Sequence, residues 1–131
     1  MSYPASTCVL TSSNSILENI EINGGGYNNW HDNKGEVIVD ETTVNFNNVT
    51  FNYSYWVGIY FNNSNSIVEN CSFGNNQIGL KIEGADNSPQ ISNYYFENNE
   101  KTDIYWPGGG ESCENFKSDE TIKVECGCCP Y

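Results

Sequence analysis

The residues of this 131-residue chain best equipped for chemistry are its six cysteines. Cys113, Cys126, Cys128 and Cys129 gather near the C-terminal end, where they could close two disulfides or hold zinc or copper. Ligand pairs need two to four intervening residues to wrap one zinc ion, and Cys126-Gly127-Cys128-Cys129 lacks that spacing, so disulfides are expected and no metal site is assigned. Adjacent Cys128 and Cys129 should find separate partners. Cys71 falls among apolar residues and is expected to be a buried thiol. The single histidine, His31, stands with Trp30 and Asp32 in a glycine- and asparagine-rich insertion, a candidate loop for a metal or a sugar; the plainer reading is an aromatic packed over the coil below. Tyr53, Tyr55, Trp56, Tyr105 and Trp106 could stack on sugar rings, or serve as lateral contacts or core. Of the Asn-X-Ser/Thr sequons, Asn52 and Asn62 are the expected glycosylation acceptors, because Asn48 and Asn70 occupy repeat positions expected to be buried.

Those repeat positions define what holds the chemistry in place. Ser13 to Asn19 and Ser64 to Asn70 are nearly one heptapeptide written twice. The pattern extends to an index asparagine, Asn19, Asn48, Asn70 and Asn93, at spacings of 29, 22 and 23 residues. Two residues before it stand Leu17, Phe46, Val68 and Ile91. One after it stand Ile20, Val49, Cys71 and Tyr94, and three after it Ile22, Phe51, Phe73 and Phe96. A second apolar segment follows in each unit, around Val37, Ile59, Leu80 and Ile104, delayed in the first by the insertion that carries His31. Short alternating runs broken by Asn, Gly and Ser read as strands, and nothing sustains helical periodicity. A period near 22 residues makes one coil of a β-solenoid. Asparagine suits a left-handed corner, and its amide can bond to the equivalent amide one coil away, so an asparagine ladder is expected inside the stack.

These columns resemble the right-handed parallel β-helix repeats of the pectin-lyase-like superfamily, in the short-coil form of surface proteins. The expectation is an all-β, right-handed parallel β-helix, a single domain over 1–131. Coils run over about 7–125, four full ones with a partial coil at each end, and a cysteine-rich end covers 107–131. The resemblance implies that an enzyme of this kind would use an arginine or lysine base with calcium-binding aspartates, or clustered aspartates with a histidine. This chain has no arginine, and Asp32, Asp40, Asp86, Asp103 and Asp119 do not share a repeat column. No catalytic residue is assigned and the protein is read as a non-enzyme.

Seventeen carboxylates against five lysines give a net charge of −12, which argues against nucleic acid and anionic membranes as partners. A solvated surface accounts for such acidity; the functional alternative is Ca2+ bridging carboxylates between coils. No stretch is long enough to span a bilayer, and the first residues lack the character of a signal peptide. The cysteine content still favours an extracellular or cell-surface location, with a virion as the other option.

The register also ranks the ends. Thr7 to Leu10 reads as the last strand of an otherwise missing coil, and Asn115 as the index of a fading fifth one. Cys8 then lies ~19 Å of stacking from the terminal cysteines, beyond the ~7 Å α-carbon reach of a disulfide in one chain. The expectation is a homo-oligomer stacked head to tail, Cys8 of one subunit linked to Cys126, Cys128 or Cys129 of the next. Open coil ends would build a filament, sheath or appendage. The competing function is a carbohydrate-binding or adhesin module.

Overall fold

The computed structural model describes residues 8–10, 14–25, 35–84 and 88–127. Trp30, His31, Asp32, Asp86, Cys128 and Cys129 lie outside the described residues. In chain order the elements are β1 (Cys8–Leu10), β2 (Ser15–Asn23), β3 (Gly35–Asp40), β4 (Val44–Asn52), β5 (Val57–Asn62), β6 (Ile67–Glu69), β7 (Ser72–Gly74), β8 (Ile78–Glu83), β9 (Gln90–Ser92), β10 (Tyr95–Glu97) and β11 (Thr102–Tyr105). A short helix α1 (Gly110–Glu114), a 3-10 turn (Asn115–Ser118) and β12 (Val124–Glu125) follow.

Every described strand pairing is parallel, as a solenoid requires. One sheet stacks β1-β3-β5-β8-β11-β12. The other is folded along the index asparagines: β2, β4, β6 and β9 pair before that corner, and β2, β4, β7 and β10 pair after it. The expected β-helix of about four coils is present, and β1 is the closing strand of a partial coil.

The inward columns are those read from the repeat. Phe51 and Phe73 stack with ring centroids 5.3 Å apart, and Phe73 and Phe96 at 4.8 Å. Phe46 meets Phe51 and Phe61 edge-on. Each fully buried ring contributes roughly 2–3 kcal/mol, so this column is the principal apolar support of the stack. The serines of the second twin word, at 64–70, also acquire a reason. Ser64 and Ser66 are buried, and the Ser66 hydroxyl accepts the Val44 N–H at 3.0 Å, closing the corner between sheets without an apolar side chain.

The index asparagines all adopt left-handed backbone, Asn19 (φ 58), Asn48 (φ 55), Asn70 (φ 56) and Asn93 (φ 49). Their placement differs from expectation, because all four are exposed. Asn48 donates to Asn19 at 2.8 Å, but Asn70 donates to Asn47 rather than Asn48, so the rungs form an outer rail and not an internal ladder. A left-handed corner turns the side chain to solvent while the residue after it, as at Val49 and Cys71, points inward. The buried amides stand six residues on. Asn76 accepts the Ser54 N–H at 2.8 Å and donates to Phe51 O at 3.1 Å, and Asn99 accepts the Asn76 N–H and donates to Phe73 O.

The expected partial fifth coil keeps its last strand, β12, which pairs in parallel with β11, but its first half is replaced. Asn115 opens the 3-10 turn after α1, and this segment roofs the fourth coil. Phe116 packs on Tyr94 and Trp106, with centroids at 6.0 and 6.4 Å, and Cys113 bonds to Cys126 across 13 residues. Gly109 to Glu114 lack the alternating apolar pattern that a strand needs at this point, and a helical turn buries Cys113 instead.

Candidate functional site

After β4, β7 and β10 the chain turns through a further left-handed corner at Tyr53, Asn75 and Asn98, equivalent to Gly24 in the first coil. Buried Ser54, Asn76 and Asn99 come next, and the residue immediately before the following strand is Trp56, Gln77 and Lys101. In-register stacking therefore places unlike chemistries side by side along the flank. Tyr53, Ser54, Tyr55, Trp56, Asn75, Gln77 and Lys101 line a cleft of about 590 Å³.

Its aromatic wall is well presented. Tyr53 is 61% exposed and Tyr55 56%, whereas Trp56 is 7% exposed and packs with Val57, Ile78 and Tyr105. Lys101 Nζ lies 5.5 Å from the centre of the Trp56 ring, and Gln77 donates to Glu100 at 2.7 Å. The Trp56 indole N–H is buried and has no hydrogen-bond partner among the described residues. Tyr53 is conspicuous for its backbone. It has φ 59, where the equivalent positions carry glycine or asparagine, and a left-handed conformation is costly for a bulky residue. The groove can offer ring faces for stacking, two amides for paired hydrogen bonds and one ammonium.

The hydrogen bonds of the Tyr55 turn lead back through Gly25 to a buried carboxyl. Glu36, on β3, is 2% exposed. Its Oε2 accepts the Gly25 N–H at 2.8 Å, and its Oε1 is buried with no partner among the described residues. Burial pushes the Glu36 carboxyl up to about 7, against the smaller opposing pull of the Gly25 and Gly24 N–H groups. Gly25 O in turn accepts the Tyr55 N–H at 2.9 Å. At the next in-register positions only glycine fits: a Cβ on Gly58 would sit 2.6 Å from Gly79 O, and one on Gly79 2.9 Å from the Phe96 ring.

The other sequence-derived candidates fall apart in space. Cys113 and Cys126 are one disulfide, Cys71 is a buried free thiol whose Sγ contacts Glu69 O, and Cys8 is free and exposed. Burial pushes the Cys71 thiol up. Asp103 is buried, accepting Asn99 Nδ2 and the Lys123 N–H; Asp119 accepts Thr121 and Tyr94, whose hydrogen bonds hold its carboxyl low; Asp40 accepts Asn62. The sequon asparagines reverse their expected order: Asn48 and Asn70 are exposed, whereas Asn52 and Asn62 are half-buried and donate to Glu21 and Asp40. Tyr105 and Trp106 are buried, Trp106 in the core.

Carboxylates on the described strands are interleaved with neutral groups: Asn47 separates Glu18 from Glu69, and Asn62 separates Asp40 from Glu83. Like charges a strand spacing apart would destabilise the ladder, and the interleaving relieves this without a cation. Among the described residues no three His, Cys, Asp or Glu side chains gather as a metal site.

A family model described as a right handed beta helix region matches residues 35–113, more than half of the chain. The chain belongs to the right-handed β-helix family. No curated protein and no solved structure matches it. The family sets the scaffold, and the groove lies along one of its corners. Of its lining residues, Tyr53, Tyr55 and Trp56 stand out in the sequence as aromatics. Asn75, Gln77 and Lys101 do not, although the coil-length steps from Tyr53 to Asn75, from Trp56 to Gln77 and from Gln77 to Lys101 are the signal that would have placed them beside those rings.

Proposed function

We propose that the protein is a non-catalytic β-helix scaffold whose flank binds neutral carbohydrate in the Tyr53–Trp56 groove. The observation that carries this reading is Tyr53: an exposed ring held on a left-handed backbone that stability alone would assign to Asn or Gly. Ring faces beside amides suit pyranose stacking and hydroxyl pairing, and a net charge of −12 disfavours polyanionic chains. The described aspartates are already bonded within the fold, which favours binding over hydrolysis. The Cys113–Cys126 disulfide fits an extracellular or cell-surface location. A glycan array tests the reading. Retention of neutral oligosaccharides by the native protein, lost in Tyr55→Ala, is the expected result, and an array without hits refutes it.

Assembly end to end is the second reading, and two observations favour a restricted form of it. Ile20 is 41% exposed although its column points inward, and the free Cys8 thiol lies on β1 at the same end of the stack. At the other end the α1 and 3-10 segment packs over Tyr94 and Trp106, so that β12 alone ends the stack as a strand, and Cys126 is already paired, which leaves Cys128 and Cys129, outside the described residues, as the cysteines for Cys8 to meet in another subunit. On a non-reducing gel, a covalent ladder that persists in Cys8→Ser excludes this linkage.

A further inference from the structure

At the groove one coil is a residue short. Between the paired positions Asn52 and Val57 the second coil turns through four residues, 53–56, and the fourth coil takes four, 98–101, between Glu97 and Thr102. The third coil has three, 75–77, between Gly74 and Ile78. The ladder absorbs the difference by doubling its bonds: Trp56 O accepts both the Gln77 and Ile78 N–H groups, and Gln77 O accepts those of Lys101 and Thr102. Tyr55 and Glu100 take the third position of the longer turns and are exposed in the coils on either side, and half-buried Gln77 lines the cleft between those coils.

The Gln77 amide is held in one direction. Its Nε2 donates to Glu100 Oε2 at 2.7 Å, and a carboxylate can only accept, so the reverse orientation would set two acceptors against each other. With Nε2 turned toward the fourth coil, Oε1 is the amide atom on the other side, and among the described residues nothing donates to it. A sugar hydroxyl can donate or accept, so the protein atom it meets decides which. We propose that Gln77, oriented by Glu100, sets the specificity of the groove: it presents a carbonyl acceptor and selects a pyranoside whose hydroxyl donates at that point. Glu100 is a positioning residue that acts through Gln77. The inference rests on the carbohydrate reading and sharpens it, because stacking on Tyr55 accepts many ring faces, whereas an acceptor fixed in direction rejects a ligand that lacks the donor.

The test is the affinity of cellobiose, and of a set of its derivatives each with one hydroxyl replaced by fluorine, for the native protein and for Glu100→Lys, measured by NMR titration. Fluorine cannot donate but remains a weak acceptor. A lysine ammonium can only donate, so in Glu100→Lys the Gln77 amide turns its Oε1 to that side and its NH2 to the groove. One derivative is expected to bind the native protein about tenfold more weakly than cellobiose, the worth of one hydrogen bond whose acceptor is left unpaired. In Glu100→Lys that ratio is expected to fall to about twofold, because the fluorine can still accept. A merely structural role for Glu100 would lower all affinities together and leave the ratio unchanged; that result overturns the proposal, as does a native protein that discriminates against none of the derivatives. Should Glu100→Lys fail to fold, Gln77→Met removes the acceptor at similar side-chain length. It is expected to bind cellobiose about tenfold more weakly and the discriminated derivative with unchanged affinity, and equal losses for both refute the assignment. Sugars that bind with an unchanged ratio sink the role of Gln77 and leave the carbohydrate reading standing. A native protein that binds no member of the set refutes the inference outright, and the glycan array then decides whether the carbohydrate reading falls with it.

Discussion

Replacing Asn76 by Ala should cost far more than removing any index asparagine amide. Asn76 is 2% exposed, accepts the buried Ser54 N–H and donates to Phe51 O. Truncation leaves both groups inside the stack without this partner. A buried unsatisfied polar group costs about 1–3 kcal/mol, and Phe51 O keeps a second lone pair for other donors, so the loss should be about 3 kcal/mol. For a chain of this length that corresponds to a fall of about 10 °C in Tm. The control is Asn48→Gly, which keeps the left-handed corner accessible and removes only an exposed amide bond to Asn19. It should cost under about 1 kcal/mol. Urea unfolding of both variants under oxidising conditions, followed by far-UV circular dichroism, gives the comparison. Equal losses, or a larger loss at Asn48, would refute the claim that the stabilising amides are the buried ones at 76 and 99.

Three further outcomes follow from the same geometry. Tyr53→Asn relieves a strained corner and should gain about 0.5–1 kcal/mol in chemical unfolding while weakening oligosaccharide retention; a loss of stability would mean that Tyr53 is kept for packing. Glu36→Gln should leave stability unchanged near pH 4 and raise it by about 2 kcal/mol at pH 8, allowing for solvent screening, because the buried carboxyl's disadvantage accumulates between its unfolded value of 4.5 and about 7; a pH-independent difference in thermal scans contradicts it. Opening the Cys113–Cys126 bond with a thiol reductant, or Cys113→Ser with Cys126→Ser, should cost about 3 kcal/mol for a loop of this length and loosen the roof first. Amide exchange that accelerates evenly over all coils, instead of at 110–126, would show that the roof is not a separate unit.

The columns around Asn19, Asn48, Asn70 and Asn93 were legible because solenoid coils repeat the same local demand: an apolar side chain two before, one after and three after a left-handed corner. That periodicity survives in a single sequence, and it determined the β-helix, its four coils and the inward aromatic stack of Phe51, Phe73 and Phe96. It also placed Cys8 and Cys113 at opposite ends. What it could not say is which side of each corner faces solvent. The same Asn type serves at exposed Asn48 and at buried Asn76, and the difference lies in backbone φ, which only the closed coil reveals. The roof over the fourth coil was likewise hidden, since Cys113 and Phe116 fit the repeat columns by type while the segment between Trp106 and Val124 folds as a helical turn. The groove was the least legible of all. Trp56, Gln77 and Lys101 become neighbours because each precedes a strand of the same sheet one coil apart, and Glu36 reaches that corner through Gly25. Sequence specified the rungs by local periodicity, and tertiary stacking decided which unlike residues they bring together.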